Sequence, residues 1–330
     1  MSDTSVPPEA PPADPMQLDN PPASPIRIMG QYIRDLSFET PNAPDIFAVL
    51  RTEAPEIPIG LDTNVRHLSG SSFEVTLSLQ LEAVAAGKKA FGVSPSCFLT
   101  TRALEQIKND VCYSNVPAVL VGISAGVSYG ALGSTHHSLH DFAALRAINN
   151  ITIIAPADNR ETRAAVRHAA AAPRPVFLRF GKAAMPALPG TEQDLVVGRA
   201  TTLREGSDVA FLATGETVVH ALLAAGHLAE QGIQSRVLSL HTVKPLDTAA
   251  VLRAGRECRA VVTVEEHLVN GGLGEACATV LLQGGLKPRF ACVGIPDEDT
   301  VTGAQADIFR HYGISMEGLA ATVLRLRGTA

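Results

Sequence analysis

Three histidines and a threonine close a glycine-rich stretch. The run VGISAGVSYGALGSTHHSLHD, Val121 to Asp141, carries glycines at 122, 126, 130 and 133 and then Thr135, His136, His137 and His140. Histidine donates, accepts or shuttles protons near neutral pH. Glycine lets a backbone approach a ligand closely and take positive φ. The chemistry open to such a stretch is recognition of polar oxygens and proton handling at the mouth of a loop. A zinc site would need the three histidines to converge. Their i, i+1, i+4 spacing comes without a supporting carboxylate pattern, so no metal is expected on this chain. A second candidate, Gly271-Gly272-Leu273-Gly274, stands before a helix pattern but lacks the spacing of a dinucleotide or phosphate loop. It reads as close packing.

The elements that must hold these residues are legible around them. Pro117–Ser124 is an apolar run suited to a buried strand, and Phe142, Leu145 and Ile148 mark the helix that follows the loop. Ile151–Ala157 and Pro175–Gly181 are two further strands of the same kind. Leu104, Ile107 and Val111 give helical spacing within 99–114, and Asp158 with Glu161 predicts a capped helix start. Residues 186–200 read as a linker. Beyond it, strand runs at 208–214, 235–240, 259–265 and 289–295 alternate with helix patterns at 218–231, 247–257, 274–283 and 315–327. That alternation argues a parallel sheet covered on both faces. Glycine-rich loops leaving parallel strands are where such folds place ligands.

These stretches together resemble the transketolase family of thiamine diphosphate enzymes. The resemblance is carried by PSCFLTTRALEQIKND, the glycine loop with its Thr-His pair, ALRAINNITIIAPADNRET and PVFLRFGKAAMP, which are similar to the pyrimidine-binding domain. EGSDVAFLATGETVVHALLAA, SLHTVKPLD and VTVEEHLVNGGLGEA resemble the C-terminal domain of the same enzymes. The resemblance implies that His136 binds donor sugar oxygens as the catalytic and substrate residue. It implies that Phe98 packs on the cofactor's aminopyrimidine and that Arg179 holds the sugar phosphate. Two loop positions depart from the pattern: Leu132 and Ser124 stand where the family has an acidic residue and a histidine. The strand and helix that carry the family's pyrimidine-binding glutamate have no counterpart, and neither Glu74 nor Glu82 is assigned that role.

Upstream, residues 1–25 hold eight prolines, four acidic residues and no Lys or Arg, a composition that predicts a disordered tail. Over 57–66 and 73–82 apolar and polar residues alternate around a Ser69-Gly70-Ser71 turn, which predicts an antiparallel hairpin. Together with QYIRDLSFETPNAPDIFAVL this region, 26–91, resembles the first half of the SecB export chaperone. That resemblance implies binding of unfolded preproteins, and contact with the SecA motor through Asp35 and Glu39. The expected fold class is therefore α/β. Two parallel-sheet domains, 92–190 and 191–330, follow a small antiparallel segment and a proline-rich tail.

At −6 the net charge, with no basic block, argues against nucleic acid or an anionic membrane as partner. No apolar run reaches the ~20 residues of a membrane span, and no signal peptide is visible. Five cysteines without metal or redox spacing predict free buried thiols in a reducing cytoplasm. The function expected is a subunit of a split transketolase that moves a two-carbon ketol unit between sugars or sugar phosphates. The loss of the glutamate would impair it. Thiamine diphosphate and magnesium would be held mainly by a partner subunit, in a homodimer or a heteromer. The rival reading is a SecB-like chaperone; an inert scaffold is the third.

Overall fold

A computed structural model describes residues 89–190 and 195–328, together with the backbone of two strands at 59–69 and 72–81. The tail 1–25 and the partner-binding candidates Asp35 and Glu39 lie outside the described residues. Strands β1 (Ile59–Ser69) and β2 (Ser72–Leu81) pair antiparallel, Ile59 with Leu81 and Val65 with Val75, as the alternation predicts.

The first five-stranded sheet begins at β3 (Phe91–Pro95), which runs into helix α1 (Ser96–Arg102). Leu104–Gln106 continues as one helical turn into a wider π-helical stretch, Ile107–Tyr113. Then come β4 (Val119–Ile123), the glycine loop with a 3₁₀ turn at Gly130–Thr135, and α2 (Asp141–Arg146). β5 (Thr152–Ile154), α3 (Asn159–Ala171) and β6 (Val176–Arg179) complete this part. The cap read from the sequence is present: the Asp158 carboxylate accepts from the amides of Arg160 and Glu161, while Glu161 reaches back to the Ala157 amide. The four strands of this segment run parallel, in the spatial order β5-β6-β4-β3.

The second sheet is built from β7 (Thr201–Arg204), β8 (Val209–Ala213), β9 (Ser235–Ser239), β11 (Ala260–Leu268) and β12 (Arg289–Ile295). Helices α4 (Thr217–Glu230), α5 (Thr248–Glu257), α6 (Leu273–Gln283), α7 (Gln305–His311) and α8 (Met316–Arg327) accompany it. Its order is β12-β11-β8-β9-β7. Every residue of β6 and β8 is buried, which is what parallel strands covered on both faces require. Phe177 in the first sheet and Phe211 in the second are fully buried. Each such side chain contributes about 1.5–3 kcal/mol on removal from water.

Neither sheet is purely parallel. β7 pairs antiparallel with β9. β10 (Thr242–Lys244), which follows the second sheet's β9, crosses over to pair antiparallel with β5 and becomes the fifth strand of the first sheet. Both edge strands are too short to leave a periodic pattern, so the sequence reading of 186–200 as linker with structure resuming near 207 passes over β7. Four cysteines are free and buried as expected; Cys292 is free but exposed, because it lies on the edge strand β12.

Candidate functional site

β4 delivers the loop with a reversal that needs glycine. Gly126 and Gly130 have φ of +63° and +53°. A Cβ on Gly126 would stand 2.1 Å from the Glu266 carboxyl carbon, and one on Gly130 would stand 2.4 Å from the Gly303 carbonyl oxygen. The loop then closes on itself, with the amides of Gly126 and Ser138 donating to each other's carbonyls at 3.1 and 2.8 Å.

This closure separates the three histidines. His136 is half-buried at the mouth, edge-on to the Phe98 ring and to the Tyr129 ring, with centroids 5.4 Å away in both cases. Its Nδ1 lies 2.9 Å from the Thr135 hydroxyl. Two cations flank these rings: Arg102 sits 4.3 Å over Phe98, and exposed Lys182 sits 5.3 Å over Tyr129. His137 turns inward instead. Its Nδ1 is 2.7 Å from the Thr300 hydroxyl and its Nε2 3.0 Å from the Gly130 carbonyl, and burial lowers its pKa. His140 meets Thr100 at 3.3 Å. Among the described residues no group of three His, Cys, Asp or Glu could hold a metal ion.

Beneath the mouth lies Asp141, wholly buried. Burial alone would raise its pKa; the Arg179 guanidinium and the hydrogen bonds it accepts outweigh that and hold it below the usual carboxylate range. Arg179 is 6% exposed. Its Nε donates to Asp141 at 2.9 Å, and its Nη2 donates to the carbonyls of Ser138 at 3.2 Å and Glu266 at 2.8 Å. The guanidinium also lies 4.6 Å over the Phe142 ring. These are the contacts of a buried structural ion pair. The structure thus brings Phe98 and His136 together at the mouth and sets Arg179 below them.

The second sheet clasps the loop from behind. Glu266 accepts from the Val127 amide at 2.8 Å, and the Gln305 amide bridges Glu266 at 2.9 Å and Glu216 at 2.7 Å. Burial, with Glu216 next, pushes Glu266 up to about 8. The 271–274 stretch is closed in another way. The Glu265 carboxylate fills its helix N-terminus, accepting from the amides of Leu273 at 2.6 Å and Gly274 at 2.8 Å. A Cβ on Gly272 would fall 2.0 Å from that carboxylate. Close packing, as read from the sequence, is what the glycines serve. Tyr129, Lys182 and Arg102 carry no sequence signal of their own; Arg102 stands one helical turn after Phe98, and that spacing was the one clue available.

The family model described as the transketolase pyrimidine binding domain matches residues 82–187, and that of the transketolase C-terminal domain matches 198–319. A third, for the preprotein translocase component SecB, matches 19–119. An apulose-4-phosphate transketolase subunit of Phocaeicola vulgatus is 44% identical over 240 residues, 72% of this chain and 76% of that protein. The 1-deoxy-D-xylulose-5-phosphate synthase of Thermomicrobium roseum is 38% identical over 252 residues, 74% of this chain and 40% of that protein. Among solved structures, a split-gene transketolase described as an inactive beta4 tetramer superposes with a TM-score of 0.67 at 32% identity, covering 73% of this chain and 77% of that one.

Proposed function

The chain belongs to the transketolase family, and from that premise we propose that it is the subunit of a split transketolase that forms the sugar side of a shared active site. The observation that carries the reading is the mouth itself, where His136 stands between the Phe98 and Tyr129 rings. Phe98 offers an apolar edge to an aminopyrimidine, and His136 offers a ring nitrogen to hydroxyl and carbonyl oxygens of a ketose. Lys182 and Arg102 are the cations at that mouth, and we assign them, before buried Arg179, to the anionic end of a sugar phosphate. Arg179 keeps the loop and Asp141 in place. Both sugars and sugar phosphates fit this arrangement as donors.

Thiamine diphosphate, when bound, supplies the carbon nucleophile that accepts and passes on the two-carbon unit. This chain's residues fit one end of it. The diphosphate and its magnesium call for a set of oxygen ligands, and we place that set on a complementary subunit. The buried acidic groups behind the loop, Asp141 and Glu266, are committed to other partners, and Glu216 accepts from Gln305. We therefore read the chain alone as inactive and the assembled enzyme as weak in ketol transfer. The inactive beta4 tetramer named for the superposed relative supports the first half of that statement. A cytoplasmic enzyme is consistent with this chemistry; among the described residues no helix is long and apolar enough to cross a membrane.

The SecB match and the β1–β2 hairpin are what the chaperone reading rests on. From Phe91 onward that match runs across β3, α1 and the π-helical stretch of the first α/β unit. The enzyme reading accounts for those residues, and the chaperone reading does not. The test is assembly: purified full-length chain, mixed with the diphosphate-domain subunit of a split transketolase, should co-elute with it. Thiamine diphosphate and magnesium should be retained by the mixture and by neither subunit alone. Full retention by this chain alone would refute the division of labour.

A further inference from the structure

Asp141 cannot touch a substrate, since no part of it reaches solvent. Burying a carboxylate costs several kcal/mol even when it is paired. Its contacts show what it holds together. One oxygen, Oδ2, accepts three hydrogen bonds from three separate segments. The Ser96 hydroxyl donates at 2.8 Å from the first residue of α1, the Ser138 hydroxyl at 3.1 Å from the loop, and Arg179 Nε at 2.9 Å from the end of β6. The other oxygen, Oδ1, accepts from the Phe142 amide at 3.0 Å.

Two of those donors stand two residues from the walls of the mouth. Ser96 precedes Phe98 in α1, and Ser138 follows His136 in the loop. Both serines are fully buried. Gly122 makes room for the first of them: a Cβ there would lie 2.8 Å from the Ser96 hydroxyl oxygen. Arg179 extends the clamp to the second sheet through the Glu266 carbonyl.

We propose that Asp141 is the positioning residue of the mouth: through one carboxylate oxygen it ties α1 to the glycine loop and so sets the Phe98 ring against His136. The inference rests on the reading above for what Phe98 and His136 recognise; the geometry it concerns does not. A neutral side chain of the same size would keep the volume and lose the charge that orients the arginine and draws both hydroxyls to one point. Removing either serine hydroxyl would free one wall from the other.

The test uses the full-length chain with isotope-labelled histidine. Because His136 is edge-on to two aromatic rings, its ring proton signals report its placement against Phe98. Those signals are assigned by their loss in His136→Gln. Ser96→Ala and Ser138→Ala should each shift them and leave the signals of His227, which meets Glu230 and Gln231 at the end of its own helix α4, in place. Asp141→Asn should shift them further, and adding Ser96→Ala to it should then change nothing more, since the two share one interaction. In the assembled enzyme the serine variants should lower kcat by about 10-fold or more, since small misplacements near reacting groups cost this much, with a smaller change in the donor KM. If both serine variants leave the His136 signals and kcat unchanged, the proposal is wrong. Should Asp141→Asn not fold, the two single-hydroxyl variants decide. If no assembled protein transfers a ketol unit, the functional reading fails, while the histidine signals of the chain alone still judge Asp141.

Discussion

Two glycine-rich stretches of this chain follow a parallel strand and lead into a helix, and only one of them opens onto the candidate site. At 122–141 the buried carboxylate, Asp141, is matched by Arg179, and it gathers side chains from three segments. At 271–274 the buried carboxylate, Glu265, has backbone amides for its close partners, and it fills the helix terminus where a ligand would sit. Burial pushes Glu265 up to about 7, whereas Asp141 is held below the usual range. Glycine in such a loop therefore says that something comes close to the backbone. Whether that something is a ligand depends on what the chain has already placed there.

A methyl group at each stretch would break the comparison most severely. Gly126→Ala and Gly272→Ala each drive a Cβ into a buried glutamate, at 2.1 and 2.0 Å, and each should cost about 1–3 kcal/mol in stability. Gly126→Ala should be the worse of the two, because its φ of +63° adds backbone strain. Only Gly126→Ala should also lower turnover per folded molecule in the assembled enzyme. Equal turnover losses, read by kinetics normalised to the folded fraction, would erase the distinction.

Titration sharpens it. Glu265 is raised in the fold, so the stability it contributes is complete below the ordinary glutamate value of 4.5 and is lost as pH rises through about 7. Glu161, also raised to about 7, and Glu266, raised to about 8, push in the same direction. Asp141 is depressed, so its contribution is present above its ordinary value of 3.8 and is lost as pH falls through its lowered one. Buried His241 and His267, lowered to about 4, push the other way up to their ordinary value of 6.5. Above about pH 6.5, thermal melts should therefore show the wild-type chain losing stability up to about pH 8, and Glu265→Gln should flatten part of that slope. Asp141→Asn should leave this slope unchanged and alter the acid limb instead.

The smallest effect belongs to the rim. Lys182→Ala should raise the KM for a phosphorylated donor by about 2- to 5-fold, the value of one exposed cation, and leave the KM for an unphosphorylated one unchanged. Equal effects on both donors would remove Lys182 from the phosphate end.

Much of this was legible in the sequence because it repeats. The parallel strands announce themselves as apolar runs, since both faces are buried, and the Asp158–Glu161 cap is a fixed spacing. Phe98 and His136 were each readable as site candidates through the family's ordered motifs, and their contact came from the fold. The fit of Arg179 was not, because the same residue serves a phosphate or a buried aspartate, and only the packing of Asp141 beneath the loop tells which. Tyr129 reaches the mouth through the loop's glycine reversals and Lys182 from the segment after β6, and no periodicity encodes either. β10 was hidden for a similar reason: three residues leave no pattern, and its partner strand lies in the other sheet.

The central claim is that this chain supplies the sugar-side wall of an enzyme completed elsewhere. It is tested most directly by ketol transfer from a ketose donor to an aldose acceptor, with thiamine diphosphate and magnesium present. The chain should be measured alone, with the diphosphate-domain subunit, and with that subunit as His136→Ala. The chain alone should transfer nothing, the pair should transfer weakly, and His136→Ala should cost the pair about a further 10²-fold, the scale of one positioned proton-handling group. Turnover by the chain alone, or transfer by the pair that His136→Ala leaves intact, would contradict it.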